Sequence, residues 1–107
     1  AAASAGKLWV SVENAPLRQV LAGEREAVLE AQRTLGAEGI KSKLLPMNRA
    51  YHTPMMVEAQ AALAKQLSAM TLSAPSVPLC CNGSGGWMDD ATATSAEYWA
   101  AHVATAV

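Results

Sequence analysis

From Leu8 to Glu13 the sequence LWVSVE alternates large apolar with smaller residues, the pattern of a half-buried strand. Asn14-Ala15-Pro16 is a turn signal, and Arg18 to Ala22 (RQVLA) returns as the second arm of a hairpin that Gly23 closes. The period then changes from two to about 3.6. Val28, Ala31 and Leu35 fall on one face of a helix over Glu24 to Ala37, with Glu24 and Glu26 in its first turn and Gly36 and Gly39 at its end. Ile40, Ser42 and Leu44 alternate with Lys41 and Lys43, which predicts a strand with one solvated face. An irregular stretch from Pro46 leads to Tyr51 and His52. Thr53-Pro54, a capping side chain followed by proline, then opens a helix to about Met70, with Met56, Leu63, Leu67 and Met70 on one face. After the loop Thr71 to Pro78, Val77 to Cys81 reads as a short strand, Asn82 to Gly86 as a tight turn and Trp87-Met88 as the returning arm. Ser95 caps a last helix containing Tyr98, Trp99 and Val103. The order is that of an α+β fold, one strand and one helix short, at its front, of a ferredoxin-like βαββαβ unit.

Composition changes this picture in one respect. Hydrophobic residues make up 51% of 107 positions, enough for a folded segment, yet many are alanine, and the aromatics are three Trp, two Tyr and no Phe. A core built from this set is thin, so the segment is expected to pack against a further surface. The formal net charge of −1 offers no basic footprint for nucleic acid or an anionic membrane. No apolar run approaches the ~20 residues of a membrane-spanning helix. Cys80 and Cys81 are adjacent and point to opposite faces of a strand, which argues against a disulfide framework and for inert thiols in a reducing, cytoplasmic setting.

Few residues offer chemistry. Ser84, within Asn82-Gly83-Ser84-Gly85-Gly86, has asparagine where a G-x-S-x-G elbow needs its first glycine, and no helix follows, so a hairpin turn is the better reading. The same glycines make no dinucleotide loop, because Met88 stands where the third glycine belongs. His52, His102 and the cysteine pair lack the spacing of a structural zinc site, and no metal is expected. Asp89-Asp90 reads as a solvated turn. His52 stands at the junction of an irregular loop and a capped helix, where an imidazole can exchange protons near neutrality, although position alone leaves a structural histidine open. His102 has only its helical context, for which surface or packing is the default.

Several stretches in order resemble the second half of the malonyl-CoA:acyl-carrier-protein transacylase family and the acyltransferase domains of polyketide and fatty-acid synthases. They are Val12-Glu13-Asn14-Ala15-Pro16 with Val20-Leu21-Ala22-Gly23, Glu24 to Pro46, and Ala50-Tyr51-His52-Thr53-Pro54-Met55-Met56. Thr71 to Pro78, Val77 to Gly83, and Tyr98-Trp99 with Val107 complete the series, so the likeness runs from Leu8 onward. The resemblance implies that residues 1–46 belong to a ferredoxin-like small subdomain and 47–107 to the α/β-hydrolase-like large subdomain. It makes His52 the catalytic base and Asn14 a substrate-binding position, and it makes Arg49, Ala50 and Tyr51 the residues that select the acyl group. The aromatic before the histidine is similar to the malonyl-using pattern, while tyrosine for phenylalanine and arginine at 49 depart from it.

The implied reaction moves an acyl group from a CoA thioester to the phosphopantetheine thiol of an acyl carrier protein, through an acyl-serine. No permanently bound cofactor is implied. The expected partners are the acyl carrier protein, acyl-CoA, the remainder of the acyltransferase domain and neighbouring synthase domains. The serine elbow and a carboxylate-binding arginine lie in parts of the family pattern outside this sequence, so the stretch alone is expected to be inactive. An acyl hydrolase on the same scaffold and a non-catalytic ferredoxin-like interaction module are the competing readings.

Overall fold

A computed structural model of the chain describes residues 6–107. Its elements are β1 (Leu8–Ala15), β2 (Arg18–Gly23), α1 (Arg25–Ala37), a 3-10 turn (Pro54–Met56), α2 (Val57–Ser68), α3 (Asp90–Ala93) and α4 (Ala96–His102). The mixture of helix and strand agrees with the sequence reading.

β1 and β2 pair antiparallel, with Leu8 opposite Gly23, Val10 opposite Leu21 and Ala15 opposite Arg18. The pairing runs on to Ala15, skipping Asn14, so the reversal falls on Pro16-Leu17, one step later than the sequence suggests. A break in register between Val10 and Val12 leaves Ser11 as the extra residue of a bulge. The bulge shifts the phase of the strand: Leu8 and Ser11 are buried, three positions apart, and Ser11 Oγ donates to the Val20 carbonyl at 3.2 Å. The other edge of β1 is occupied by Val107, whose N–H donates to Ser11 C=O (2.9 Å) and whose C=O accepts from Glu13 N–H (2.7 Å). Gly23 admits no side chain, because a Cβ there would lie 2.0 Å from the Lys7 carbonyl oxygen.

α1 ends in a Schellman arrangement. Gly39, at φ 78°, donates to Gly36 C=O, and Ile40 N–H reaches back to Leu35 C=O. The strand expected over Ile40 to Leu44 does not form. Among the described residues no backbone ladder reaches it, since β2 and Val107 take the two sides of β1, and these residues are exposed. The expected hairpin near Cys80 shrinks to one antiparallel bridge, Cys80 with Trp87, flanked by Met88 N–H to Leu79 C=O at 2.8 Å. Asp89-Asp90 is more than a solvated turn. Asp89 caps α3 by accepting from Thr92 N–H at 2.7 Å, which lowers its carboxyl pKa.

α2 packs on α4 through small residues that leave a groove lined by Val57, Ala61, Ala64, Ala100 and Ala101. The buried apolar set is small: Leu8, Ala50, Cys81, Ala93 and Ala100. Large apolar side chains point outward, Leu17 at 102%, Trp87 at 75% and Val77 at 70% exposure among them. The radius of gyration is 16.2 Å, against ~13 Å for a compact domain of this length. No helix of the described residues is long and apolar enough to cross a membrane.

This exposure generates a prediction. The isolated 107-residue chain should self-associate or unfold over a broad transition, checked by sedimentation and urea denaturation. A sharp two-state transition of a monomer would show that the outward apolar side chains need no cover.

Candidate functional site

His52 is the one non-glycine residue with positive φ among those described, at 62°. That left-handed conformation strains a side chain bearing a Cβ, by roughly 1–2 kcal/mol, and it persists where surrounding bonds impose it. Here three do. His52 N–H donates to Val103 C=O at 2.8 Å, and His52 Nδ1 lies 2.8 Å from His102 C=O. On the other side Thr53, fully buried, donates through Oγ1 to Ala50 C=O at 2.6 Å and accepts from Met55 N–H at 3.3 Å. The sequence signature Thr53-Pro54 thus starts the 3-10 turn as expected, and Thr53 also closes the loop that carries His52.

A carbonyl oxygen only accepts, so the contact from Nδ1 to His102 C=O puts the proton of a neutral His52 on Nδ1. Nε2 then holds a lone pair with no protein partner among the described residues. A half-buried imidazole in this tautomer can accept a proton at Nε2 while its orientation is held at the opposite nitrogen.

Two residues that sequence reasoning left aside complete the site. The His102 ring lies against that of His52, centroids 5.0 Å apart and planes at 75°. Asn82 Nδ2 approaches His102 Nε2 at 3.2 Å. The turn that carries Asn82 is docked onto α4 by Cys81, whose Sγ lies 2.8 Å from Tyr98 Oη. That hydrogen bond is the main cause of a Cys81 thiol pKa lowered to about 7, and it raises the Tyr98 phenol. Cys80 is exposed, Cys81 is buried against a donor that favours its thiolate, and both are free. Only the tertiary approach of α4, some fifty residues from His52 in sequence, brings these groups together. No local pattern signals it.

The remaining sequence candidates divide. Ala50 is buried in the loop, Tyr51 is exposed beside His52, and Arg49 is exposed with Nη1 bonded to Asn48 C=O at 3.0 Å. Asn14 lies exposed near the tip of the β1–β2 hairpin, with no hydrogen bond to the His52 loop. Ser84 belongs to the turn, accepting from Gly86 N–H at 3.3 Å. Among the described residues no three His, Cys, Asp or Glu side chains cluster as metal ligands.

No family model matches the chain. Its sequence is similar to the polyketide synthase GfsA of Streptomyces halstedii, 30% identical over 97 residues, which are 91% of this chain and 1% of that protein. It is similar also to the pikromycin polyketide synthase component PikAIII of Streptomyces venezuelae, 27% identical over 92 residues, 86% of this chain and 6% of that protein. Among solved structures it matches the acyltransferase domain from the second module of the salinomycin polyketide synthase, with 35% identity and a TM-score of 0.84 over 99% of this chain and 24% of that one. The acyltransferase domain of SpnD, in complex with 2-(pent-4-yn-1-yl)malonyl, matches with 29% identity and a TM-score of 0.89 over 94% of this chain and 25% of that one. The chain thus spans a few per cent of the curated relatives and about a quarter of the solved domains. Over nearly its whole length it belongs with the acyltransferase domains of polyketide synthases.

Proposed function

We propose that this chain supplies the general base, His52, of an acyltransferase that moves a malonyl group from CoA to the phosphopantetheine thiol of an acyl carrier protein. The observation that carries the reading is the strained His52 backbone, with Nδ1–H on the His102 carbonyl and Nε2 left free. Strain of this kind persists at functional sites when the surroundings over-determine it.

The steps follow from that nitrogen. Nε2 removes the hydroxyl proton of a serine that is not among these residues, and the serine oxygen attacks the thioester carbonyl. As the tetrahedral adduct collapses, the carbon–sulfur bond breaks, the imidazolium returns its proton to the CoA sulfur, and an acyl-serine remains. In the second half the phosphopantetheine thiol gives its proton to Nε2 and attacks the ester. The serine oxygen leaves and recovers the proton from His52. The His102 carbonyl keeps a proton on Nδ1 throughout, so that only Nε2 exchanges one. No bound cofactor enters this scheme. The carrier protein, acyl-CoA, the rest of the acyltransferase domain and neighbouring synthase domains are its partners, in a cytoplasmic setting.

Within this reading, the described residues up to 46 form part of a ferredoxin-like small subdomain, the first five of that stretch lying outside the described residues, and 47–107 return into a hydrolase-like large one. The packing of α1 on β2, and separately of α2 on α4, supports two groupings, with Val107 joined to β1. Arg49, Ala50 and Tyr51 select the acyl group and Asn14 is a further substrate-binding position. Tyr51 is exposed immediately before the base, where its ring takes the volume an α-methyl would need.

In the full-length protein His52→Ala should reduce acyl-enzyme formation from radiolabelled malonyl-CoA by several orders of magnitude. His52→Asn, which tolerates left-handed backbone, should do the same while leaving the unfolding midpoint unchanged. Near wild-type labelling in either variant refutes the assignment. A second prediction concerns selectivity. Tyr51→Ser should move the malonyl to methylmalonyl kcat/KM ratio towards methylmalonyl, by about 10- to 200-fold for one methyl group. Competition between the two thioesters reads this directly, and an unchanged ratio removes Tyr51 from the selectivity residues.

A further inference from the structure

His52 faces a second imidazole for which the proposed reaction has no use. The ring of His102 stands edge to face against that of His52, at 5.0 Å and 75°. Its own orientation is fixed from outside, by Asn82 Nδ2 at 3.2 Å from Nε2. With Asn82 Nδ2 as the donor, His102 Nε2 is the acceptor, the arrangement of a neutral imidazole that carries its proton on Nδ1. Asn82 in turn is held by its neighbour. Cys81 is buried, its Sγ is bonded to Tyr98 Oη on α4 at 2.8 Å, and the Tyr98 ring lies 3.3 Å from where a Gly83 side chain would begin. A continuous series of contacts therefore runs from α4 through the turn to the side chain of His102 and onto the ring of His52.

We propose that His102 is a positioning residue whose neutral ring, anchored by Asn82, is the wall against which the imidazole of His52 is turned. Two constraints are needed for that purpose. The bond from Nδ1 to a carbonyl fixes one atom of the His52 ring but leaves it free to swing about that point. A polarised ring edge held at 75° removes the swing, as aromatic pairs prefer an edge-to-face arrangement. Neutrality of His102 matters as well, because His52 becomes an imidazolium in each half-reaction and a cation 5.0 Å away would oppose it. Asn82 secures that state by donating to Nε2 rather than accepting from it.

This inference rests on His52 as the base, and the test separates the two. In the full-length protein, single-turnover labelling with malonyl-CoA is compared for wild type, His102→Leu, His102→Phe and Asn82→Asp. His102→Leu removes the wall and should lower the acylation rate at saturating donor roughly 10- to 100-fold, the cost of misplacing a catalytic group by about 1 Å, with KM within about twofold. His102→Phe restores a ring edge and should recover most of that rate. Asn82→Asp replaces the donor by an acceptor, which demands a proton on His102 Nε2, by change of tautomer or by protonation of the ring, and should slow acylation by about tenfold at an unchanged unfolding midpoint. It also carries the test should His102→Leu not fold. The nitrogen-15 shifts of the wild-type histidines should show the proton of both rings on Nδ1. A Phe variant as slow as the Leu variant, an Asn82→Asp variant at wild-type rate, an effect confined to KM, or a His102 protonated on Nε2 would each overturn the proposal. If these variants are unaffected while His52→Ala is dead, only this inference falls. If His52→Ala acylates normally, the reading of the base falls with it.

Discussion

The joint between the loop 50–53 and the C-terminal end of α4 is the interaction on which the site depends. A helix ends with carbonyls that its own backbone does not satisfy. Here two consecutive ones, on His102 and Val103, receive the ring N–H and the backbone N–H of His52. Satisfying both from one residue requires a turn of the backbone that places φ at 62°. Pro54 follows two residues later and denies the chain an earlier helix start, while Thr53 locks the bend from the buried side. Strain, tautomer and direction of the imidazole thus share one cause.

Small side chains make that joint possible. Ala50, in the loop, and Ala100, two residues before the end of α4, are among the few buried apolar residues, and neither holds its neighbours at a distance. The same alanine content that lets loop and helix meet leaves little apolar area to hold the segment together, since each alanine contributes far less than a leucine. The larger apolar side chains lie outside, on residues such as Leu17, Val77 and Trp87. The stretch is therefore precise around His52 and loosely packed elsewhere, a distribution suited to one part of a larger acyltransferase domain.

Cys81 illustrates how packing turns an ordinary residue into a polar anchor. A thiol beside a phenol would be unremarkable in water. Buried with its sulfur 2.8 Å from Tyr98 Oη, it titrates near neutrality and ties the turn 82–86 to α4. The turn then delivers Asn82 to His102. Neither Cys81 nor Tyr98 touches His52, yet both sit on the path that fixes its surroundings.

The sequence by itself determined what depends on neighbours a few residues apart. Alternation in LWVSVE and RQVLA specifies the hairpin, the glycine at 39 ends α1, Thr53-Pro54 starts a helix and Ser95 caps α4. Short-range order also marked His52, through its place at a loop-to-helix junction, and an ordered series of local motifs carried the likeness to acyltransferase domains. What only the tertiary structure decided depends on distant partners. Ile40 to Leu44 has the pattern of a strand but no ladder, because pairing needs a neighbour and the far side of β1 is taken by Val107. Ser11 is buried because a bulge, set by the opposing strand, reverses the alternation. His102 reaches His52, and Asn82 reaches His102, only when α4 packs behind the loop, and no periodicity along the chain encodes a contact across fifty residues.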